Sequence, residues 1–259
     1  MILQLTAQER QTQRLTEANL KLAVELVKVD GFVVLESVLP PQMVSTLLAE
    51  FLRLFEEYRT RTDQNRGARR YQMHLPFRSP FNVESVITNS YALQIVDALL
   101  GEDAVCQYFA SDTPLPGSDY QAVHSDMPAL FPGAPFSLPV FSLVVNFPLI
   151  EFTPENGPLE IWPGGTHLAP VSVDMKSLAS LMKSELVLMP AGSVLVRDIR
   201  TWHRGTPNRS ETARPNLAMI YSRPWLKAQY PPINIPKVTH AGLSERAKRL
   251  FRLENIVDS

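Results

Sequence analysis

The middle of this chain is rich in proline, and this feature limits what it can form. The sequence has 22 prolines in 259 residues, and most of them lie between Pro114 and Pro236. Proline lacks the backbone donor that a helix needs and clashes with the preceding turn, so long helices are excluded here. The short apolar or β-branched runs between the prolines predict strands. These runs are 104–110, 140–150, 159–162, 186–189, 193–197 and 216–221. Many short strands with turn signals are typical of an all-β sandwich or barrel.

The first hundred residues follow a different pattern, in which helices prevail. Apolar residues recur at helical spacing over 7–29, 42–58 and 89–100. Between the first two of these segments, the β-branched run 31–39 predicts a strand. Helical spacing returns near the C-terminus, where Ser244 is placed to cap a last helix. We therefore expect a mainly β fold with flanking helices.

The segment 59–80 has no periodicity and contains six arginines. Two interpretations remain open for it. It is either a solvated basic surface or a long irregular lid that contacts substrate through Tyr71, Met73 and His74, since long loops of this kind often have a functional role.

No linker or internal repeat divides the sequence, so we predict a single domain over 1–259. Within it, 1–100 would supply mostly helical elements and the lid, 101–235 the β core, and 243–253 the C-terminal helix. A chain of this length and apolar content can bury a sizeable core.

Charge and cysteine content limit the partners of the protein and the cellular compartment that suits it. The formal net charge of −1 gives no electrostatic reason to expect nucleic acid or an anionic membrane as a partner. The N-terminal residues are too polar for a secretory signal, and no apolar run is long enough for a membrane span. The lone Cys106 excludes an internal disulfide and a thiolate metal cluster. We therefore predict a cytoplasmic protein with a small-molecule partner, and the oligomeric state stays open.

The segment 121–126 (QAVHSD) places an imidazole and a carboxylate two residues apart. In an extended segment alternate side chains leave the same face, so His124 and Asp126 can share one metal ion. A His-x-Asp pattern is common by chance, however, and a polar strand end is the alternative interpretation.

A second histidine and an arginine strengthen the metal interpretation. His203 ends one predicted strand and Arg214 opens the next, so a hairpin would place the two side chains together. Two imidazoles and one carboxylate can hold Fe(II) on one face and leave the other positions open. The planar fork of an arginine binds a carboxylate through two parallel hydrogen bonds, which suits the distal carboxylate of a 2-oxo diacid.

These motifs together resemble the phytanoyl-CoA dioxygenase family of iron(II)- and 2-oxoglutarate-dependent oxygenases. The stretches that carry the resemblance are 121–126, 156–159, 163–167 and 202–214. The resemblance implies a double-stranded β-helix of the jelly-roll, cupin-like type. It also implies that His124, Asp126 and His203 bind Fe(II), which makes them the catalytic metal centre.

The same resemblance implies a binding site for 2-oxoglutarate, with dioxygen as the second cosubstrate. Arg214 would bind the distal carboxylate, and Gln121 and Thr166 would form further hydrogen bonds. Some relatives carry a serine where Gly205 stands, and Thr206 is a possible substitute for that contact. The implied reaction oxidises a small-molecule substrate, most often by hydroxylation, and converts 2-oxoglutarate to succinate and carbon dioxide.

Two other functions remain open. A non-catalytic β-barrel that binds small molecules would have little use for two histidines, an aspartate and an arginine together. A zinc hydrolase can use three such ligands and a bound water, but it gives Arg214 no task. The substrate and the outcome of the oxidation, whether hydroxylation, desaturation, demethylation or cyclisation, are not encoded in these motifs.

Overall fold

The computed structural model describes residues 1–127, 129–131, 133–134, 136–170 and 172–258. Twelve strands form in this part of the chain. They are β1 (Ile2–Leu3), β2 (Phe32–Leu35), β3 (Arg70–His74), β4 (Val105–Pro114), β5 (Ser142–Pro148), β6 (Leu159–Ile161), β7 (Glu185–Val187), β8 (Val194–Asp198), β9 (His203–Gly205), β10 (Asn216–Ser222), β11 (Asn234–Pro236) and β12 (Asn255–Val257). The α-helices are α1 (Ala7–Thr12), α2 (Glu17–Asp30), α3 (Pro41–Arg61), α4 (Glu84–Ile87), α5 (Ser90–Leu100), α6 (Met175–Ala179), α7 (Lys237–Ala241) and α8 (Glu245–Leu250).

Seven strands form the main sheet in the order β1-β2-β8-β5-β10-β4-β3. The first pair, β1 and β2, is parallel, and every other pair is antiparallel. Three further strands form a smaller sheet in the order β7-β6-β9. Side chains of both sheets pack together in one apolar cluster, in which Phe32 and Leu195 of the main sheet meet Ile161 and Val187 of the smaller one. This arrangement confirms the predicted double-stranded β-helix.

The helices cover the outer face of the main sheet. Phe51 and Phe55 of α3 and Ile95 of α5 are fully buried in the largest apolar cluster, together with Val145 and Val196 of the central strands. Because alternate residues of a strand point to opposite faces, the intervening residues of these strands face the interior of the β-helix. The N-terminal helices and the sheet therefore share one core.

Several helix boundaries follow from capping residues. The predicted helix over 7–29 is two helices, because the hydroxyl of Thr16 accepts a hydrogen bond from the backbone N–H of Asn19 and starts α2 there. Asn89 caps α5 through the backbone N–H of Ala92. The predicted cap at Ser244 is confirmed, since its hydroxyl accepts from the backbone N–H of Ala247. None of the helices in the described residues is long and apolar enough to cross a membrane.

The prediction that 59–80 is one long irregular loop is wrong. The segment begins as the last turn of α3 and contains the edge strand β3, which pairs with β4. Tyr71 and Met73 alternate into the main core, where the ring of Tyr71 lies 5.5 Å from that of Phe55. Their burial against α3 is the physical reason that a polar, arginine-rich segment forms a strand.

Candidate metal centre and cosubstrate cavity

His124, Asp126 and His203 meet at one point inside the β-helix. The backbones of His124 and His203 form a bridge in which each N–H donates to the other carbonyl over 3.0 Å. The backbone N–H of Asp126 donates to the carbonyl of Ile199 over 3.1 Å, which fixes Asp126 in a bend two residues after His124. The predicted same-face geometry of His124 and Asp126 is thus present, and His203 approaches from β9.

The three side chains present their ligand atoms to a common centre. These atoms lie within 4.8 Å of one another. Asp126 Oδ1 is 3.7 Å from His124 Nε2 and 3.6 Å from His203 Nε2. The Nδ1 atoms of His124 and His203 each lie 2.8 Å from a backbone carbonyl, that of Ala122 and that of Thr201. A neutral ring that donates from Nδ1 keeps an unprotonated Nε2, which is the tautomer that binds a metal.

The protonation states also suit a divalent cation. Burial lowers the pKa of His203 to about 4, so this ring is neutral near pH 7. Burial alone would raise the pKa of Asp126, but Arg197 and the two imidazoles lower it well below its usual value. The donor set is therefore two imidazoles, of which that of His203 is neutral, and one ionised carboxylate, and this set fits Fe(II).

The centre opens into a cavity of about 280 Å³. One wall is apolar and consists of Val144, Ala218 and Ile220 from the main sheet. Tyr108 and Tyr230 form an aromatic part whose rings lie 5.2 Å apart. Ligand pockets commonly hold about 300–1,000 Å³, so this cavity is near the lower end of that range.

A buried charge cluster adjoins this cavity. Asp112 of β4 lines the cavity, and Arg214 Nη2 lies 3.9 Å from its Oδ2. The guanidinium of Arg214 stacks over the ring of Phe152 at 4.2 Å, and its Nε and Nη1 have no hydrogen-bond partner. Burial lowers the pKa of Arg214 to about 10, which still leaves it charged. A buried cation with free donors fits an anionic ligand.

The hairpin predicted between His203 and Arg214 is wrong. His203 begins β9 in the smaller sheet, whereas Arg214 precedes β10 in the main sheet. Asn208 shapes the crossing between the sheets, because its amide donates to the carbonyls of Pro114 and Thr212 over 3.1 and 2.8 Å. Arg214 does not itself line the cavity; it lies behind Asp112, which does, and belongs to the sheet opposite His203 rather than to a neighbouring strand.

Arg70 occupies the space beside Gly205. A Cβ atom at Gly205 would lie 2.5 Å from Arg70 Nη1, which is far inside van der Waals contact. Arg70 is 1% exposed and donates to the carbonyls of Asp119 and Thr206, while its Nη1 has no partner. The position that carries serine in some relatives is therefore a glycine that accommodates a buried guanidinium.

Of the other residues predicted to contact 2-oxoglutarate, Gln121 lies at the cavity and the two threonines do not. Gln121 lines the cavity, although its Oε1 accepts from the backbone N–H of Gly205 and its Nε2 donates to Arg66. The hydroxyls of Thr166 and Thr206 donate to backbone carbonyls over 2.6 and 2.7 Å. With those protons engaged, neither threonine has a donor left for 2-oxoglutarate, and neither lines this cavity.

The three residues predicted to contact substrate do not lie together. Tyr71 and Met73 are 8% and 4% exposed in the core and do not line the cavity of the metal centre. The ring of His74 packs edge-on against Tyr108 at 5.6 Å, so it lies next to the cavity wall. From the same segment, Arg66 lines the cavity.

Four charged residues in or beside this site were missed by the sequence reasoning. They are Arg66, Arg70, Asp112 and Arg197. Arg66 and Arg70 belonged to a segment that looked like a loop, and the other two lie within apolar strands. Asp112 and Arg197 are charged residues within mostly apolar strands. Because charged residues are rarely buried without a partner, this contrast could have identified them.

The chain belongs to the phytanoyl-CoA dioxygenase (PhyH) family, whose family model matches residues 27–216. It is similar to Dioxygenase af480 of Aspergillus fumigatus, with 30% identity over 179 residues that make up 66% of this chain and 55% of that protein. It is also similar to Dioxygenase trt7 of Aspergillus terreus, with 28% identity over 221 residues, 77% of this chain and 72% of that protein. The chain thus matches little more than half the length of the first relative.

Two solved structures share the fold. The epimerase SnoN in complex with Fe3+, alpha ketoglutarate and nogalamycin RO has a TM-score of 0.64 and 20% identity, covering 80% of this chain and 85% of that one. AviO1 from Streptomyces viridochromogenes has a TM-score of 0.61 and 20% identity, covering 85% of this chain and 100% of that one. Both likenesses support the predicted β-helix architecture.

Proposed function

We propose that this protein is an iron(II)- and 2-oxoglutarate-dependent dioxygenase with His124, Asp126 and His203 as its metal ligands. The observation that carries the proposal is the convergence of these ligand atoms within 4.8 Å. Both imidazoles direct Nε2 there while Nδ1 contacts a backbone carbonyl, and a third, anionic donor completes one face. Membership in the phytanoyl-CoA dioxygenase family supports the same function.

Arg214 is the proposed partner of the distal carboxylate of 2-oxoglutarate. Its guanidinium is buried and charged, and two of its nitrogens lack a partner. Arg70 contributes a second cation, with a further unpaired nitrogen, in place of the serine contact at Gly205. Asp112 offsets only one of these two positive charges. The residual positive charge favours an anion and disfavours a neutral ligand.

The protein's contribution is binding and orientation. Iron, when bound with 2-oxoglutarate and dioxygen, supplies the oxidising chemistry. The Nδ1 contacts fix both imidazole rings, so His124 and His203 would hold the metal without rearranging. The apolar wall of Val144, Ala218 and Ile220 shields the reacting carbon of the substrate from water.

We further propose that the substrate is a small molecule and that the outcome is hydroxylation. The cavity of about 280 Å³ holds the cosubstrate and the reacting part of a substrate, so a larger substrate would extend beyond it. Asp126 fills the third ligand position with a carboxylate, which leaves no gap for a halide and favours hydroxyl transfer over halogenation. The shared core supports one domain over 1–259, and a reducing, cytoplasmic setting agrees with the lone, buried Cys106.

Metal binding tests the proposal. Purified protein should bind one Fe(II), or one Mn(II) as a redox-stable substitute, per chain in anaerobic calorimetry. His124→Ala, Asp126→Ala and His203→Ala should each weaken binding by well over about tenfold, since even outer residues of metal sites change affinity by that factor. His240→Ala, at the end of α7, is the matched control and should bind as wild type does.

The same preparations separate this function from its alternatives. The wild-type protein should form succinate from 2-oxoglutarate in the presence of Fe(II) and dioxygen. Equal metal affinity in wild type and His203→Ala would refute the ligand assignment. Activity that persists on zinc alone and ignores 2-oxoglutarate would instead favour a hydrolase.

A further inference from the structure

Arg197 is a buried cation beside the candidate metal centre. It lies on β8 between β2 and β5, and its side chain is 6% exposed and lines the cavity. Its Nη2 donates to Asp126 Oδ2. Among the described residues, Arg197 forms an ion pair with Asp126 alone. The carboxylate of the adjacent Asp198 is already engaged, because Arg200 donates to its two oxygens over 2.9 and 2.8 Å.

The two oxygens of Asp126 have different surroundings. Oδ1 faces the two imidazoles, at 3.7 Å from His124 Nε2 and 3.6 Å from His203 Nε2. Oδ2 points away to Arg197. A carboxylate can bind a metal through one oxygen or through both. A charge-assisted hydrogen bond on Oδ2 opposes the second mode, because that oxygen would have to release the guanidinium in order to bind the metal.

We propose that Arg197 is a positioning residue that restricts Asp126 to one metal-binding oxygen. The inference rests on the proposed assignment of the metal ligands. By withholding Oδ2, Arg197 keeps one more coordination position open, and a chelating 2-oxo acid needs two such positions beside three protein ligands. Arg197 therefore controls the affinity for the cosubstrate more than the affinity for the metal.

The nature of the side chain agrees with this role. Arg197 engages Asp126 through one nitrogen, and its Nε and Nη1 have no hydrogen-bond partner. A guanidinium is always charged, and its hydrogen bond to Oδ2 holds that oxygen on the side of Asp126 away from the imidazoles. A lysine would supply the charge on a flexible chain and would hold Oδ2 less firmly.

The test measures metal and cosubstrate binding separately. In Arg197→Met, Mn(II) should stay bound, because one positive charge near the cation is lost and Asp126 gains a second free oxygen. The dissociation constant for 2-oxoglutarate, measured by anaerobic calorimetry on the Mn(II)-loaded protein, should rise about tenfold or more. The electron paramagnetic resonance spectrum of bound Mn(II) should change as well. Arg197→Lys should recover part of the 2-oxoglutarate affinity.

Arg200→Met is the matched control. It removes a buried ion pair from the same strand end, that with Asp198, without touching a proposed ligand. It should lower the Tm and leave both dissociation constants near those of wild type. Should Arg197→Met fail to fold, Arg197→Gln carries the test with the same expected direction.

Two results would overturn the inference in different ways. If wild type binds Mn(II) and 2-oxoglutarate and the Arg197 variants bind both equally well, Arg197 does not position Asp126 and the ligand assignment survives. The same holds if the variants only lower the Tm, as Arg200→Met does. If wild type binds no metal, the ligand assignment fails and the inference fails with it.

Discussion

Replacing Gly205 with alanine should force Arg70 out of its site. The new Cβ would lie 2.5 Å from Arg70 Nη1, 2.8 Å from its Cζ and 2.6 Å from Gln121 Oε1. Favourable contacts between heavy atoms begin near 3.5 Å, so the guanidinium must retreat by roughly 1 Å. Gly205 lies in β9, where alanine is an allowed residue, so the predicted cost comes from this clash and not from the backbone.

The stability lost in Gly205→Ala depends on how many hydrogen bonds hold Arg70 in place. Its Nε and Nη2 each donate to the Asp119 carbonyl over 3.1 Å, and Nη2 also donates to Thr206. Overpacking a buried site costs about 1–3 kcal/mol, and losing a hydrogen bond from a charged group costs about 1.5–3 kcal/mol. We expect a total of about 2.5–6 kcal/mol, which corresponds to a fall in Tm of roughly 5–24 °C for a chain of this size.

A double-mutant cycle with Arg70→Ala tests the cause. Without the guanidinium, the remaining close contact of the added methyl group is with Gln121 Oε1, the end of a flexible side chain, so the cost of Gly205→Ala in the free energy of unfolding should fall by at least about 1 kcal/mol. Chemical denaturation followed by circular dichroism measures all four proteins. Gly242→Ala is the control, because its new Cβ would lie 3.6 Å from the carbonyl oxygen of Thr239, an ordinary contact. The reasoning is refuted if Gly205→Ala costs the same with and without Arg70.

Two further changes probe the cosubstrate site and the N-terminal helices. Arg214→Lys keeps the charge but loses the planar fork, so the KM for 2-oxoglutarate should rise while Mn(II) affinity is kept; an unchanged KM would place the carboxylate contact elsewhere. Burial raises the pKa of Glu9, but hydrogen bonds from Thr16, Thr6 and Asn19 outweigh it and lower the value from 4.5 to about 2. Because the folded pKa is the lower one, Glu9 stabilises the fold above about pH 4.5 and loses that effect as the pH falls to about 2. Glu9→Gln should therefore have a lower Tm than wild type at pH 7 and an equal Tm near pH 2, and a pH-independent difference would contradict this.

Secondary structure was predicted best where the apolar pattern of a segment matches its burial in the fold. The run 193–197 is apolar and lies in the centre of the main sheet as β8. The edge strand β3 was missed, because its sequence, RYQMH, alternates polar and apolar residues within a segment dominated by arginine. Its partner β4 and the helix α3 determine its conformation, and neither is local in sequence. The short α7 and the paired β11 and β12 were missed for the same reason.

In the site, too, residues close together in sequence could be predicted, and residues that meet only through the fold could not. His124 and Asp126 could be predicted as a pair because they are two residues apart on an extended segment. The joining of His203 to them depends on a backbone bridge between segments about 80 residues apart, which spacing alone does not specify. Arg70 and Arg197 act through contacts with Gly205 and Asp126, so only the three-dimensional structure reveals them.

The order of strands in the main sheet determines when the metal centre can exist during folding. β2 pairs with β8, and β10 inserts between β5 and β4, so strands from distant parts of the chain must meet before the sheet is complete. Such non-local pairing makes folding slow, because chain entropy is lost before the contacts that compensate for it are formed. A growing polypeptide that ends before His203 lacks one of the three proposed ligands and its bridge to His124. On this assignment, metal would bind only after the sheet has formed, and its binding would report that the chain has folded.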